Sequence, residues 1–271
     1  MQFGMIHYKA PGDTLEAFLD YVAETGFDVV ELQLTDVWPE GNDRPEAEAE
    51  RVRGLFEERG IGVSAYASGN DFVYLDEDAV RHQVERMDRI SKIARILGTK
   101  ILRTEGGSRK DEVPREREGE AIGECLKRCL DFAEREDVTL AVDNHGHVTN
   151  DPDTLLTALK AADSPRAGTN LDTANYRWSG HSVEKCREIY DAVAPYARHT
   201  HLKDCTGTQP DGTYIGTVHG EGEVDLIHAV AALDRQGYKG PYIAEWEGPA
   251  SEDNAVAYAR CLEWMRRHIA D

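Results

Sequence analysis

His199-Thr200-His201-Leu202-Lys203-Asp204 is a short run that closes on groups able to hold a metal ion, and three other runs end in the same manner. They are Leu140-Ala141-Val142-Asp143, Gly168-Thr169-Asn170-Leu171-Asp172 and Tyr242-Ile243-Ala244-Glu245. A strand of this kind leaves its last side chain at its C-terminal mouth, which is where barrels of alternating strands and helices keep their chemistry. Four such ends point to one shared site.

Working outward from these runs, further apolar stretches suited to strands lie near Gln2–His7, Asp28–Leu34, Gly62–Ala67 and Lys100–Thr104. With Val138–Asp143, Ala167–Asp172, His199–Lys203 and Tyr242–Glu245 they make eight. Helix-patterned segments separate them. Asp13-Thr14-Leu15-Glu16 opens the first helix with a capping residue followed by an acid, and Gly26 closes it. Arg44–Arg59 ends at Gly60, Glu77–Leu97 at Gly98, and Val224–Gln236 at Gly237, each a few residues before the next strand. Pro114 and Pro152 stand near the starts of two more helices, where a missing N–H costs little.

Eight such units in 271 residues, about 34 residues each, predict a single (β/α)8 TIM barrel over residues 1–271. The competing doubly wound sheet lacks its Gly-x-Gly-x-x-Gly turn after the first strand. The longer segments Thr35–Arg44, Ser68–Asp76, Glu105–Pro114, Thr173–His181 and Asp204–Glu223 all follow strands. They are expected as loops crowding the same mouth.

Composition narrows the class of partner. A net charge of -20 opposes docking on nucleic acid or an anionic membrane, both of which need positive charge to displace counterions. Only nine lysines stand among the 31 Lys and Arg residues, against 51 Asp and Glu. That surface suits a salt-accumulating, halophilic host, where the Debye length shrinks to roughly 3 Å at 1 M and self-repulsion is screened. Five cysteines with no Cys-x-x-Cys, no signal-like start and no apolar run near the roughly 20 residues of a membrane span predict a cytoplasmic protein without disulfides.

Carboxylates with one imidazole suit a hard or borderline divalent cation: Mn²⁺, with Mg²⁺, Co²⁺ or Zn²⁺ as alternatives. Asp143, Asp172, His201 and Glu245 are the expected ligands.

Leu140–Gly146 (LAVDNHG), Gly168–Tyr176 (GTNLDTANY), Ala194–Asp204 (APYARHTHLKD) and Gly237–Glu247 (GYKGPYIAEWE), with Ile101–Gly107 (ILRTEGG), resemble the xylose isomerase-like TIM-barrel family of sugar phosphate isomerases and epimerases. The resemblance implies one divalent metal on Asp143, Asp172, His201 and Glu245. It also implies that Asp143 and Glu245 exchange protons with a substrate carbon, one on each face. Asp143 departs from the family's usual glutamate, which shortens its reach by up to about 1.5 Å. Its role is therefore ligand, acid/base or both. Asn175 stands where several epimerases have a histidine, altering a substrate contact.

Around the ligands, Arg103, His145, Asn175 and Lys203 are expected to bind substrate, although Arg103 could instead partner Glu105 or Asp143, and Lys203 could balance the acids. Glu31 either supports a ligand or buttresses the interior. His7, His147 and His219 read as structural. The expected function is metal-dependent isomerisation or epimerisation of a keto sugar, by proton removal beside a carbonyl through an enediolate. A lyase on the same site and a non-catalytic sugar-binding barrel are the alternatives. The partner is a small carbohydrate, and a homo-oligomer is left open. DNA repair, known on the same barrel, fits neither the four ligands nor the acidic surface.

Overall fold

The computed structural model describes residues 1–208 and 214–269. In chain order the elements are β1 (Phe3–Ile6), α1 (Leu15–Thr25), β2 (Val29–Leu32), α2 (Pro45–Arg59), β3 (Gly62–Ala67), α3 (Glu77–Leu97), β4 (Ile101–Glu105), α4 (Glu118–Arg135), β5 (Thr139–Asp143), α5 (Pro152–Ala162) and β6 (Ala167–Asp172). There follow α6 (Asn175–Trp178), α7 (Val183–Val193), β7 (Ala197–Leu202), β8 (Asp204–Thr208), β9 (Tyr214–Thr217), α8 (Leu226–Arg235), β10 (Tyr242–Ala244) and α9 (Asn254–His268). Eight parallel strands close into a barrel in the order β1-β10-β7-β6-β5-β4-β3-β2. This is the (β/α)8 barrel that the repeating pattern predicts, with β10 as its eighth strand.

Each expected strand forms, most within two residues of the expected bounds. Parallel strands are buried on both faces, so they read as nearly continuous apolar runs. β2, β5 and β6 are buried at almost every position. The helix punctuation works by local chemistry. Thr14 accepts a hydrogen bond from the Ala17 amide at the start of α1, and Asp76 accepts one from Ala79 at the start of α3. Gly98 ends α3 in the left-handed region at φ 84°, where a side chain would be strained.

Glycine has a different use in α4. A Cβ on Gly123 would lie 2.6 Å from the Ala161 Cβ, so its absence lets α4 and α5 pack at close range.

Expected loops hold regular structure of their own: Thr173–His181 contains the short helix α6. Asp204–Glu223 reads as a loop, but β8 and β9 pair antiparallel in it, with Asp204 opposite Thr217 and Cys205 opposite Gly216. Residues 209–213, between the two strands, lie outside the described residues. All five cysteines are buried and free. Among the described residues no helix is long and apolar enough to cross a membrane.

Candidate active site

Strand register brings the site together. Asp143 at the end of β5 is level with Glu105 of β4 on one side and Asn170 of β6 on the other. Two residues further along β6, on the same face, Asp172 is level with His201 of β7. His201 in turn is level with Ile243 of β10, two residues before Glu245. Side chains two apart on a strand share a face, so this register aims Asp143, Asp172 and His201 into one mouth.

Donor atoms of Asp143, Asp172 and His201 lie within 4.8 Å of one another, and all three residues are buried. The inner edge of His201 is fixed: its Nε2 lies 2.7 Å from Glu31 Oε2. Its outer nitrogen, Nδ1, sits 2.9 Å from Glu245 Oε2 and 3.8 Å from Asp172 Oδ2. Asp172 divides its labour in a similar way. Its Oδ1 accepts the amides of Ala174 and Asn175 at 2.9 Å each, which orients the carboxylate and starts α6.

Asp172 Oδ2 and His201 Nδ1 are buried without a well-directed hydrogen-bond partner. Two buried donor atoms held by ion-pair contacts but by no well-directed hydrogen bond, beside the Asp143 carboxylate, are what a divalent cation would satisfy. The residues present therefore fit such an ion, with Glu245 close enough to join them. Glu31, His199 and His201 form a second close group, but Glu31 is already committed to Arg103 and His201.

Electrostatics distinguish the two carboxylates that line the cavity from opposite sides of the donor set. Asp143 is held near its backbone: Asn170 Nδ2 donates to its Oδ1 at 2.8 Å, and Arg103 Nη1 to its Oδ2 at 3.2 Å. Burial pushes its carboxyl up to about 6, although Arg103 and His201 pull the other way. Burial also acts to raise Glu245, but Lys203 and His201 outweigh it and hold that carboxyl well below the ordinary range. Glu31 and Glu245 outweigh burial at His201 and raise its imidazole.

The expected substrate residues are all at the mouth but differently employed. Arg103 reaches Glu31 Oε1 at 2.5 Å and Glu105 Oε1 at 2.6 Å besides Asp143, so it serves both of the carboxylate partners weighed for it and a third. Lys203 lies 3.1 Å from Asp172, 3.4 Å from Glu245 and 2.9 Å from Glu247, with its Nζ 4.5 Å above the Trp178 ring. It balances the acids. Asn175 lines the cavity while its Nδ2 donates to the Asn144 carbonyl. His145 is largely exposed on the rim.

Together with Tyr8, Gln33, Glu105, Trp178 and Glu247, these residues line a cavity of about 230 Å³. Those five were not singled out as site residues from sequence. Two of them carry a sequence signal: Glu105 as the partner weighed for Arg103, and Glu247 standing two residues beyond Glu245. His7 pairs with Asp36 and stacks on Phe18, and buried His219 bonds the Leu202 carbonyl, both structural as expected. His199 is buried and pushed down to about 3, so its ring is neutral and ties Asn170 in place.

The sequence pattern of the xylose isomerase-like TIM barrel family matches residues 19–268, and the chain belongs to that family. Among characterised relatives, L-ribulose-5-phosphate 3-epimerase UlaE of Escherichia coli O157:H7 (strain EC4115 / EHEC) is 25% identical over 197 residues, covering 72% of this chain and 67% of that protein. Two solved structures share the fold. The IOLI protein with a binding zinc atom superposes with a TM-score of 0.82 at 16% identity over 100% of both chains. D-psicose 3-epimerase from Clostridium cellulolyticum H10, solved with D-tagatose, does so with a TM-score of 0.79 at 14% identity, again over 100% of both.

Proposed function

We propose that this chain is a divalent-metal-dependent isomerase or epimerase of a keto sugar, with Mn²⁺ as its ion, working in the cytoplasm of a salt-accumulating cell. The observation that carries the reading is the convergence of Asp143, Asp172, His201 and Glu245 at one mouth beside a sugar-sized cavity, where His201 Nδ1 and Asp172 Oδ2 have only the ion-pair contacts of Glu245 and Lys203 and no well-directed hydrogen bond. The similarity to a ketose-phosphate epimerase supports the same class.

Asp143, Asp172, His201 and Glu245 would hold the ion, which supplies Lewis acidity toward a substrate carbonyl. The protein's own groups then divide the proton work. Glu245, kept ionised chiefly by Lys203, is ready to take the proton from the carbon beside the carbonyl. Asp143, shorter and fastened by Asn170 and Arg103, mainly serves as a ligand. Lys203 orients Glu245 and stays charged over the Trp178 face. Tyr8 and Trp178 supply apolar faces against which the C–H side of a sugar ring or chain can pack.

The test is solvent deuterium exchange at the substrate α-carbon, run over a panel of ketoses and keto-glycosides with Mn²⁺ in D₂O, with product analysis to separate an epimer from an eliminated product. Glu245→Gln, once shown to be metal-loaded, should lower exchange by on the order of 10² or more. Exchange by no member of the panel would sink the reading. Wild-type exchange in Glu245→Gln alongside loss in metal-loaded Asp143→Asn would reverse the two roles.

A further inference from the structure

We infer that the site takes an unphosphorylated sugar and rejects the phosphate ester of the same sugar, a conclusion that rests on the keto-sugar reading above and narrows it. It differs from the substrate printed in the name of the epimerase relative.

A phosphate group needs uncommitted cations, a free helix N-terminus or a nest of free backbone amides. The two permanent cations lining the cavity are already taken. Arg103 is shared among Glu31, Glu105 and Asp143, and Lys203 among Asp172, Glu245 and Glu247. Six carboxylates thus surround two cations, and a bound divalent ion still leaves the acids in excess. Lys9, 5.8 Å from the Tyr8 ring centre, is not among the residues that line the cavity.

Barrels of this kind commonly seat phosphate in the loops after their seventh and eighth strands. Here those positions are filled by the chain's own acids. Immediately after β7, the Asp204 carboxylate accepts four backbone amides: Cys205 and Val224 on Oδ1 at 2.8 and 3.1 Å, Gly220 and Gly222 on Oδ2 at 2.9 and 3.0 Å. That is a complete anion nest, and its anion is built in. At the two helices that follow, Asp225 takes the His228 amide of α8, and Asp253 takes the Ala255 and Val256 amides of α9. Within the mouth, Asp172 takes the amides at the start of α6. After the seventh and eighth strands and at the start of α6, the described amides that would welcome a phosphate are thus taken by carboxylates, and 209–213 read Gln-Pro-Asp-Gly-Thr, with no cation.

The rim adds repulsion. Glu105 and Glu247 line a cavity of about 230 Å³, below the roughly 300–1,000 Å³ of pockets for drug-sized ligands. A phosphate dianion seated at this rim would face both carboxylates, whereas hydroxyls can donate to them. These two glutamates are therefore the groups that set the preference.

Equilibrium binding to the Mn²⁺-loaded protein tests this without relying on turnover. The ligands are a ketopentose and its 5-phosphate, a ketohexose and its 6-phosphate, and inorganic phosphate as competitor. Each free sugar should bind at least tenfold tighter than its ester, and phosphate should not displace it. The double substitution Glu105→Gln with Glu247→Gln should narrow the gap several-fold. An ester that binds as tightly as its sugar, or binding of neither, overturns the inference. A sugar that binds in this order yet shows no α-carbon exchange supports this inference and counts only against the catalytic reading.

Discussion

Glu31 is the group whose removal should be felt most widely. It is wholly buried on β2, with Arg103 Nε at 2.5 Å from one oxygen and His201 Nε2 at 2.7 Å from the other. Burial acts to raise its carboxyl, but His201 and Arg103 outweigh it and bring it down to about 2 from the ordinary 4.5. A lowered carboxyl stabilises the fold above its unfolded value, near pH 4.5, and that contribution fades as pH falls through the folded value. At neutral pH the difference amounts to roughly 3 kcal/mol.

Glu31→Gln keeps the volume and removes the charge. Arg103 would retain Glu105 and Asp143, which places the cost at the lower end of the roughly 3–5 kcal/mol for breaking a buried pair. For a chain of this size that is a fall in Tm on the order of 10 °C. The substitution also frees the inner edge of His201. A lost carboxylate partner behind a ligand histidine typically weakens metal binding about 10–100-fold. Urea unfolding and metal competition against a chromophoric chelator read the two effects separately. An unchanged urea midpoint together with metal affinity within about twofold of wild type would refute the idea that Glu31 anchors the site.

Two further outcomes follow from the charges. Metal binding must displace a proton from His201, whose imidazole is held above its ordinary value, and below pH about 6 also from Asp143. Log affinity for Mn²⁺ should therefore fall by about one per pH unit below neutrality and steepen toward about two below pH 6. A flat profile between pH 5 and 8 in a metal-buffered titration would contradict this. Dilution from about 2 M to about 0.1 M KCl lengthens the Debye length from near 2 Å to near 10 Å, exposing the net charge of -20 to itself, so Tm should drop. Calorimetry showing the same Tm in both buffers would remove the halophilic reading.

Much of this architecture is legible because it is periodic. Strand-forming runs of four to seven residues recur about every 34 residues with helix patterns between them, four of those closed by a glycine, and a barrel is the closed way to bury all the strands. Asp143, Asp172, His201 and Glu245 were readable for the same reason: each is the last or nearly the last residue of such a run. The hairpin of β8 and β9 was not. Its strands, Asp204-Cys205-Thr206-Gly207-Thr208 and Tyr214-Ile215-Gly216-Thr217, contain the glycine and threonine that also mark loops. What makes them pair is partly the Asp204 carboxylate, which gathers amides up to twenty residues away. No local pattern announces that.

Glu31 shows the same limit from inside the barrel. In Val29-Val30-Glu31-Leu32 it looks like a charge misplaced in an apolar strand, and its meaning depends on His201, 170 positions later. A shift of register between Val30 and Glu31, where β2 meets β3, occurs at this residue. The carboxylate then joins Arg103 from β4 and His201 from β7 across the interior. Through Arg103 the chain of contacts continues to Asp143, and through His201 to Glu245. The two carboxylates proposed to differ in role are thus wired to one buried acid through opposite cations. Asp143 is drawn back toward the wall by Arg103 and Asn170, while Glu245 is left facing the cavity beside Lys203. The short side chain at 143 is consistent with that division: an acid held by the wall needs less reach than one that must meet the substrate.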